Sequence, residues 1–322
     1  MILVVGAGNF GMAIGYSIAQ SGQEVALLSR NHERVNAINQ SSTLPCYTAV
    51  RRPDNLTATL DIDNIQKARR IILAIPTQQV RDFIKKNVCL FPNVPLLLLQ
   101  KGIEKETCLL PVAVVEEYLT NDISVLSGPN FAEEILEGRP TATTISAFDE
   151  NLAVEWAKLF RTDNFRPYIH GDPIGAQLGG AIKNVIAIAC GVVKGLGLGD
   201  NTMSATITRG LAEMVRLGVA LGAKKETFLG LAGIGDLTLT CQSTKSRNLR
   251  FGMALAKKEK WEETVHGTVE GYHTAFSIEK IMHQYKIEMP ISECVLKLIR
   301  EQILPNEVVS CLMSRDLKRE VF

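Results

Sequence analysis

The chain has 322 residues and no pair of cysteines at C-x-x-C spacing. Its seven cysteines, at 46, 89, 108, 190, 241, 294 and 311, are scattered and odd in number. That argues against a disulfide framework and against a metal site. A free Cys in apolar company behaves as a small core hydrophobe, as expected in a reducing cytosol. Basic runs are missing as well: 35 Lys and Arg face 34 Asp and Glu, for a formal net charge of +1. Such a balance makes no case for nucleic acid or an anionic membrane as partner. The longest apolar runs, near 94–99 and 185–190, fall far short of a membrane span of roughly 20 residues. The first 23 residues carry no charged side chain, but no basic region precedes them and a glycine motif interrupts them, so they do not read as a signal peptide. A cytoplasmic protein without stable membrane insertion is the expectation. No internal repeat or low-complexity tract is present.

What remains is an ordinary globular composition, 46% apolar and 21% charged, at a length suited to roughly two domains. The first half alternates short apolar runs with amphipathic segments. Ile2–Val5, Glu24–Ser29, Arg70–Ile75, Pro95–Leu99, Ser124–Leu126 and Ala142–Ile145 read as strands, which predicts an α/β fold with a mostly parallel sheet. Asn151–Phe160 reads as a helix, with Leu152, Trp156, Leu159 and Phe160 on one face and Asp149 as its cap. After Gly171-Asp172-Pro173 strand-like runs become scarce. Helical patterns follow over about 174–194, 203–221, 246–257, 273–284 and 290–302. The expected domains are 1–172, a Rossmann-like dinucleotide-binding unit, and 173–322, an all-α unit.

MILVVGAGNFGMA supplies a strand, then Gly6-x-Gly8-x-x-Gly11, then a helix. In that context the glycines permit a tight turn, approach of backbone to a pyrophosphate, and close helix–strand packing, with the helix N-terminus toward the phosphates. At the end of the second strand, where an NAD-selective site usually has Asp or Glu, this chain has Arg30, with Arg34 one turn on. A guanidinium suits a 2′-phosphate, so NADP(H) is favoured over NAD(H). The alternative is that Arg30 only covers an exposed strand end.

Residues 177–191, QLGGAIKNVIAIACG, form an apolar helix with small residues, broken only by Lys183 and Asn184. A buried charge costs several kcal/mol unless it is paired or put to use. A desolvated Lys can exchange a proton with an alcohol, because burial lowers its pKa toward working pH. The other reading is a Lys whose stem packs on apolar neighbours while its head reaches water. Lys101 follows the apolar run LLLLQ. Asp236 stands amid apolar residues in GLAGIGDLTLTC, read as a glycine-rich loop. The stretch 243–248 looks like a helix start bearing hydroxyls, Lys245 and Arg247, with Arg250 beyond. Together they describe a site for a small phosphorylated alcohol beside a nicotinamide.

The segments VVGAGNFGMA, QKGIE, SGPNFAEE, LGGAIKNVIAIACG, TRGLAEMVRLGVALGA, FLGLAGIGDLTLTC, SRNLRFG and VEGYHTA run nearly the length of the chain. As a set they resemble the bacterial-type NAD(P)-dependent sn-glycerol-3-phosphate dehydrogenases. The resemblance implies reversible hydride transfer between NAD(P)H and C2 of dihydroxyacetone phosphate, supplying glycerophospholipid synthesis. It implies Lys183, Lys101 and Asp236 as catalytic residues, with Lys183 exchanging the proton. It implies Lys101, Gly128, Asn130, Lys183, Asn184, Asp236, Ser246, Arg247 and Asn248 at the substrate. It implies Gly6, Gly8, Asn9, Phe10, Gly11, Arg30, Lys101, Ala132, Arg247, Thr268 and Glu270 at the cofactor. Asn9 replaces the usual Ser or Thr of the family, and Asn130 and Thr268 fall where the family varies or prefers other residues. The expected partners are a small phosphorylated substrate and a second copy of the chain in a homodimer. Rival readings are a ketopantoate reductase-like enzyme, a non-catalytic NADPH-binding sensor, and a 3-hydroxyacyl-CoA dehydrogenase, whose His–Glu pair has its nearest candidates in His266 and Glu270.

Overall fold

The structure is a computed structural model and describes residues 1–314 and 319. The chain forms two compact units. The first holds Met1–Gln100 and Pro111–Pro173, and the second holds Lys101–Leu110 and Ile174 onward. Residues 101–110 thus leave the first unit and are built into the second, a crossing that the expected division into 1–172 and 173–322 does not contain.

In the first unit, β1 (Ile2–Val5), β2 (Val25–Leu28), β5 (Leu56–Thr59), β6 (Arg70–Leu73), β7 (Leu96–Leu98), β8 (Ile123–Ser127), β9 (Thr141–Ser146) and β10 (Phe165–His170) form one sheet. A two-stranded hairpin, β3 (Thr43–Leu44) with β4 (Tyr47–Arg51), lies apart. The order across the sheet is β10-β9-β8-β7-β6-β1-β2-β5. All its pairs are parallel except β8 with β9. The central parallel strands β1, β2, β6 and β7 read as near-continuous apolar runs because both faces of the sheet are buried there. From β1 the chain moves to β2 on one side and later returns through β6 on the other. The C-terminal ends of β1 and β6 therefore form the switch point at which open α/β sheets bind ligands.

The core of this unit gathers Val4, Ile14, Leu27, Leu56, Ile72 and Leu97 with Trp156 and Phe160. The last two come from the helix Glu150–Phe160, whose cap Asp149 accepts from the Asn151 N–H at 2.9 Å. Two sheet strands lay outside the sequence reading. LTAT at β5 has too little apolar periodicity, and FRPYIH at β10 is an edge strand with exposed Tyr168 and Ile169 and a proline, which edges tolerate.

Among the described residues of the second unit the regular elements are all helices, while 101–110 is turn and irregular backbone. Pro173–Gly195 is the one described helix long and apolar enough to cross a membrane, and 94% of its apolar window is buried inside the protein. Its small residues let neighbours approach closely. A Cβ on Gly191 would stand 2.1 Å from the Leu249 carbonyl oxygen, and one on Gly252 would stand 2.0 Å from that of Ile188. Only glycine on both sides permits that crossing with the helix Arg247–Lys257. Around it pack Ile182, Ile186, Met214, Leu217, Phe228 and Phe251.

The helix Gly199–Ala220 carries a buried carboxyl group. Glu213 accepts from the Ile291 N–H at 2.6 Å, the Ser292 N–H at 3.1 Å and the Ser292 hydroxyl at 2.9 Å. It thereby caps the N-terminus of the helix Pro290–Ile299, where N–H groups lack intrahelical partners. Burial pushes its carboxyl up to about 7, against those hydrogen bonds and the nearby Arg216.

Candidate active site

The expected glycine-rich loop around Asp236 is helical instead. Leu231–Gly235 makes one π turn, and Asp236 opens the helix Asp236–Gln242. Glycine propensity is overridden by packing here, since a Cβ on Gly233 would stand 2.1 Å from the Phe228 carbonyl oxygen. Single π turns of this kind often occur at functional sites. The turn directs the Asp236 carboxylate, 1% exposed, toward the buried helix Pro173–Gly195.

There Asp236 Oδ1 accepts from Lys183 Nζ at 2.5 Å, and Asp236 Oδ2 accepts from Lys101 Nζ at 2.7 Å. Lys183 also donates to the Thr240 hydroxyl at 2.8 Å. Thr240 in turn donates to the Asp236 main-chain carbonyl, one helical turn back, at 2.7 Å. The ammonium of Lys183 is thus buried but paired, and does not reach for water. Burial lowers its pKa to about 8; Asp236 opposes the drop, and Lys101 adds to it. One carboxylate between two ammonium groups leaves this cluster with an excess positive charge.

A chain of amides holds Lys101. The Gly271 N–H donates to Asn248 Oδ1 at 3.0 Å, Asn248 Nδ2 donates to Asn184 Oδ1 at 2.9 Å, and Asn184 Nδ2 donates to the Lys101 carbonyl at 2.9 Å. The Lys-Asn pair therefore has two jobs: Lys183 meets the carboxylate, while Asn184 holds the main chain of the second cation. Ser246 is the N-cap of Arg247–Lys257, accepting from the Leu249 N–H at 3.2 Å. Arg247, in the first turn of that helix, lies over Gly267: a Cβ there would stand 2.8 Å from its guanidinium. Thr268 follows Gly267, and Glu270 opens the helix Glu270–Tyr285 in the electrostatic reach of Arg247. His266 is exposed.

In the first unit, Gly6 has φ +112°, and a Cβ on Gly11 would stand 2.0 Å from the Gly6 carbonyl oxygen. The turn and the helix start admit nothing larger. Gly8, by contrast, would meet nothing within 4 Å. It precedes the helix Asn9–Gln20, which has no side-chain cap. An open glycine face beside uncapped N–H groups, at the sheet's switch point, suits a dinucleotide pyrophosphate. Phe10 packs against the core behind this loop, as does Ala132 at the start of the helix Ala132–Leu136.

Arg30 is exposed beyond β2, with Nη2 3.4 Å from Gln79 Oε1. Arg34 reaches back onto the loop, donating from Nε to the Ala7 carbonyl at 2.5 Å and from Nη2 to Asn9 Oδ1 at 2.9 Å. Gly128, with φ +149°, follows β8. Asn130 is tied to β9: its Nδ2 donates to the Ala142 carbonyl at 3.1 Å, and its Oδ1 accepts from the Thr143 hydroxyl at 2.9 Å.

The second unit thus brings Lys101, Lys183, Asn184, Asp236 and Asn248 together. The first holds Gly6, Gly8, Asn9 and Gly11 in one loop and helix start, with Phe10 and Ala132 against the core and Arg30 beyond β2 beside Gln79. Thr240 is a member of the cluster that sequence reasoning missed; its signal is the i+4 spacing from Asp236.

Two family models match the chain: the NAD-dependent glycerol-3-phosphate dehydrogenase N-terminus over residues 1–153, and the C-terminus of the same family over residues 172–310. A glycerol-3-phosphate dehydrogenase [NAD(P)+] of Parvibaculum lavamentivorans is 38% identical over 99% of this chain and 98% of its own length. The chain belongs to the NAD-dependent glycerol-3-phosphate dehydrogenase family. An enzyme of the same name from Legionella pneumophila (strain Corby) is 40% identical, with 99% of this chain and 98% of that protein covered. The crystal structure of glycerol-3-phosphate dehydrogenase (gpsA) from Coxiella burnetii superposes with a TM-score of 0.92 at 32% identity, covering 98% of both chains. Family membership sets aside the ketopantoate reductase-like and hydroxyacyl-CoA dehydrogenase readings.

Proposed function

We propose that this protein interconverts dihydroxyacetone phosphate and sn-glycerol 3-phosphate with a nicotinamide dinucleotide, NADP(H) in preference to NAD(H). The observation that carries the reaction is the carboxylate of Asp236 bridging the ammonium groups of Lys183 and Lys101 in a buried pocket of charge. A bound nicotinamide supplies the hydride or accepts it. Lys183 Nζ gives its proton to the oxygen developing on C2 during reduction, and as an amine takes it back during oxidation. A pKa of about 8 suits both directions near neutral pH. Asp236 keeps the ammonium aimed and Lys101 adds positive charge where the alkoxide forms.

Arg247 and the start of its helix bind the phosphate, with Ser246 shaping the turn. Asn184 and Asn248 act mainly by holding Lys101. Phosphate binding, remote from the reacting carbon, helps place it. Gly6, Gly8, Asn9 and Gly11 cradle the pyrophosphate. Arg30, with no acid at the strand end, supports the preference for NADP(H). Gly128, Asn130, Thr268 and Glu270 complete the substrate and cofactor assignments. Burial of the long apolar helix inside the protein speaks against that helix crossing a membrane, and the proposal includes a cytoplasmic homodimer that supplies glycerophospholipid synthesis.

Purified protein mixed with NADPH and dihydroxyacetone phosphate should consume reduced nicotinamide, and do so far more slowly with unphosphorylated dihydroxyacetone. Equal rates with the two ketones would remove the phosphate site from the proposal, and no rate with either would remove the reaction. A lower KM for NADH than for NADPH would reverse the cofactor preference.

A further inference from the structure

Two guanidinium groups stand near the end of β2, and no carboxylate among the described residues pairs with either. Arg30 makes one long contact, 3.4 Å to Gln79 Oε1. Arg34 is set differently. Its own N–H is received by the Asn31 cap at 2.9 Å, at the start of the helix His32–Gln40. Its side chain runs back to the loop between Gly6 and Gly11. There Nε donates to the Ala7 carbonyl at 2.5 Å and Nη2 to Asn9 Oδ1 at 2.9 Å. Both acceptors are neutral. Two of the five N–H donors of a guanidinium are used in this way, and the carboxylates of Glu133 and Glu137, around Tyr47, make no ion pair with it.

The bonds fix the guanidinium plane against the loop that would carry the pyrophosphate. The end of β2, where the adenosine ribose is received in this fold, is the neighbouring position. A fixed fork with free donors on its outer edge is the group that recognises a phosphate monoester, and its partial half-burial raises the strength of that contact. We propose that Arg34 is a specificity-determining residue for the 2′-phosphate of NADP(H), forming with Arg30 a two-arginine clamp in which Arg34 is the pre-set arm and Arg30 the mobile one. The proposal rests on the NADP(H) preference given above. Lys at position 34 would supply the charge but not the two bonds to the loop, so charge and geometry can be separated.

The test uses the full chain and needs no turnover. Calorimetry measures binding of adenosine 2′,5′-bisphosphate and of 5′-AMP to the wild type, Arg34→Ala, Arg34→Lys and Arg30→Ala, after thermal melting shows each variant folded. The wild type should bind the bisphosphate more tightly than AMP. Arg34→Ala should weaken the bisphosphate by about ten- to a hundredfold, the range of one or two charge-assisted hydrogen bonds, and leave AMP within about threefold. Arg34→Lys should fall between. If Arg34→Ala does not fold, Arg34→Lys carries the test, with at least a threefold loss of bisphosphate affinity expected. A wild type that favours the bisphosphate while folded Arg34 variants favour it equally would overturn the role of Arg34 and leave the preference to Arg30. Equal losses for both nucleotides would also overturn it, reducing Arg34 to a brace for the loop. A wild type indifferent to the 2′-phosphate would overturn the NADP(H) preference itself, and the clamp with it.

Discussion

The hydroxyl of Thr240 receives a hydrogen bond from Lys183 Nζ at 2.8 Å and gives one to the main-chain carbonyl of Asp236 at 2.7 Å. Its proton is therefore committed to the helix, and its lone pair faces the ammonium. This orientation favours the charged form of Lys183, a counterweight to burial that does not depend on another charge.

Thr240→Val removes that acceptor while keeping the shape. The pKa of Lys183 should fall below its present value of about 8. Loss of one hydrogen bond to a charged group corresponds to roughly one pH unit. The pH profile of kcat for glycerol 3-phosphate oxidation checks this: its rising limb should move to lower pH, and an unmoved limb would count against the contact.

Lys183→Met keeps the stem and removes the titrating group. Loss of a general acid–base typically costs about 10²–10⁴-fold in rate. Binding of NADPH, read by quenching of protein fluorescence, should change little, because the glycine loop belongs to the first unit. A folded, NADPH-binding variant with near-normal turnover would return Lys183 to a packing role.

In the wild type the two directions should respond to pH in opposite ways. Oxidation needs Lys183 as the amine, so kcat should rise through about 8; reduction needs the ammonium, so kcat should fall through the same region. Rates followed from pH 6 to 10 in both directions check the crossing.

Glu213 gives a separate signal, in stability. Its carboxyl sits at about 7 in the folded chain against 4.5 as the ordinary value. The native state therefore keeps a proton that the unfolded chain has released, and stability should decline as pH rises from about 4.5 to 7 and level off above. Melting temperatures of Glu213→Gln across pH 5–8 should lack that part of the slope. Parallel curves for variant and wild type would show that the carboxyl does not titrate there.

Much of this was legible in the sequence because it rests on local rules. The apolar runs at 2–5, 70–73 and 96–98 could only be strands, and Gly6, Gly8 and Gly11 announce a turn that a phosphate can approach. Lys183 was conspicuous because a charge stood in an apolar helix. The elements that escaped depend on distant packing. Leu231–Gly235 looks like loop until Phe228 is seen pressed against Gly233. Asn184 stands out in the sequence beside Lys183, but its ties to Asn248, the Gly180 carbonyl and the Lys101 carbonyl depend on residues that only the fold brings near. No pattern in QKGIEKETCLL reveals that this stretch is built into the helical unit, since Ser277, which donates to the Glu104 carbonyl at 3.2 Å, lies 173 positions away.

That loan of residues 101–110 bears on the order of synthesis. One arm of the Lys–Asp–Lys bridge is made more than a hundred residues before Asp236 emerges, and waits without its partner while the rest of the sheet domain is completed. A protein started at Ile174 would keep Lys183 and Asp236 but would lack Lys101, and the amide of Asn184 would keep the Gly180 carbonyl at 3.2 Å but lose that of Lys101. The helical half is thus not a module that can be cut free and keep its charge arrangement, and gene fusions or split versions of this protein should place their junctions elsewhere than at the apparent domain border.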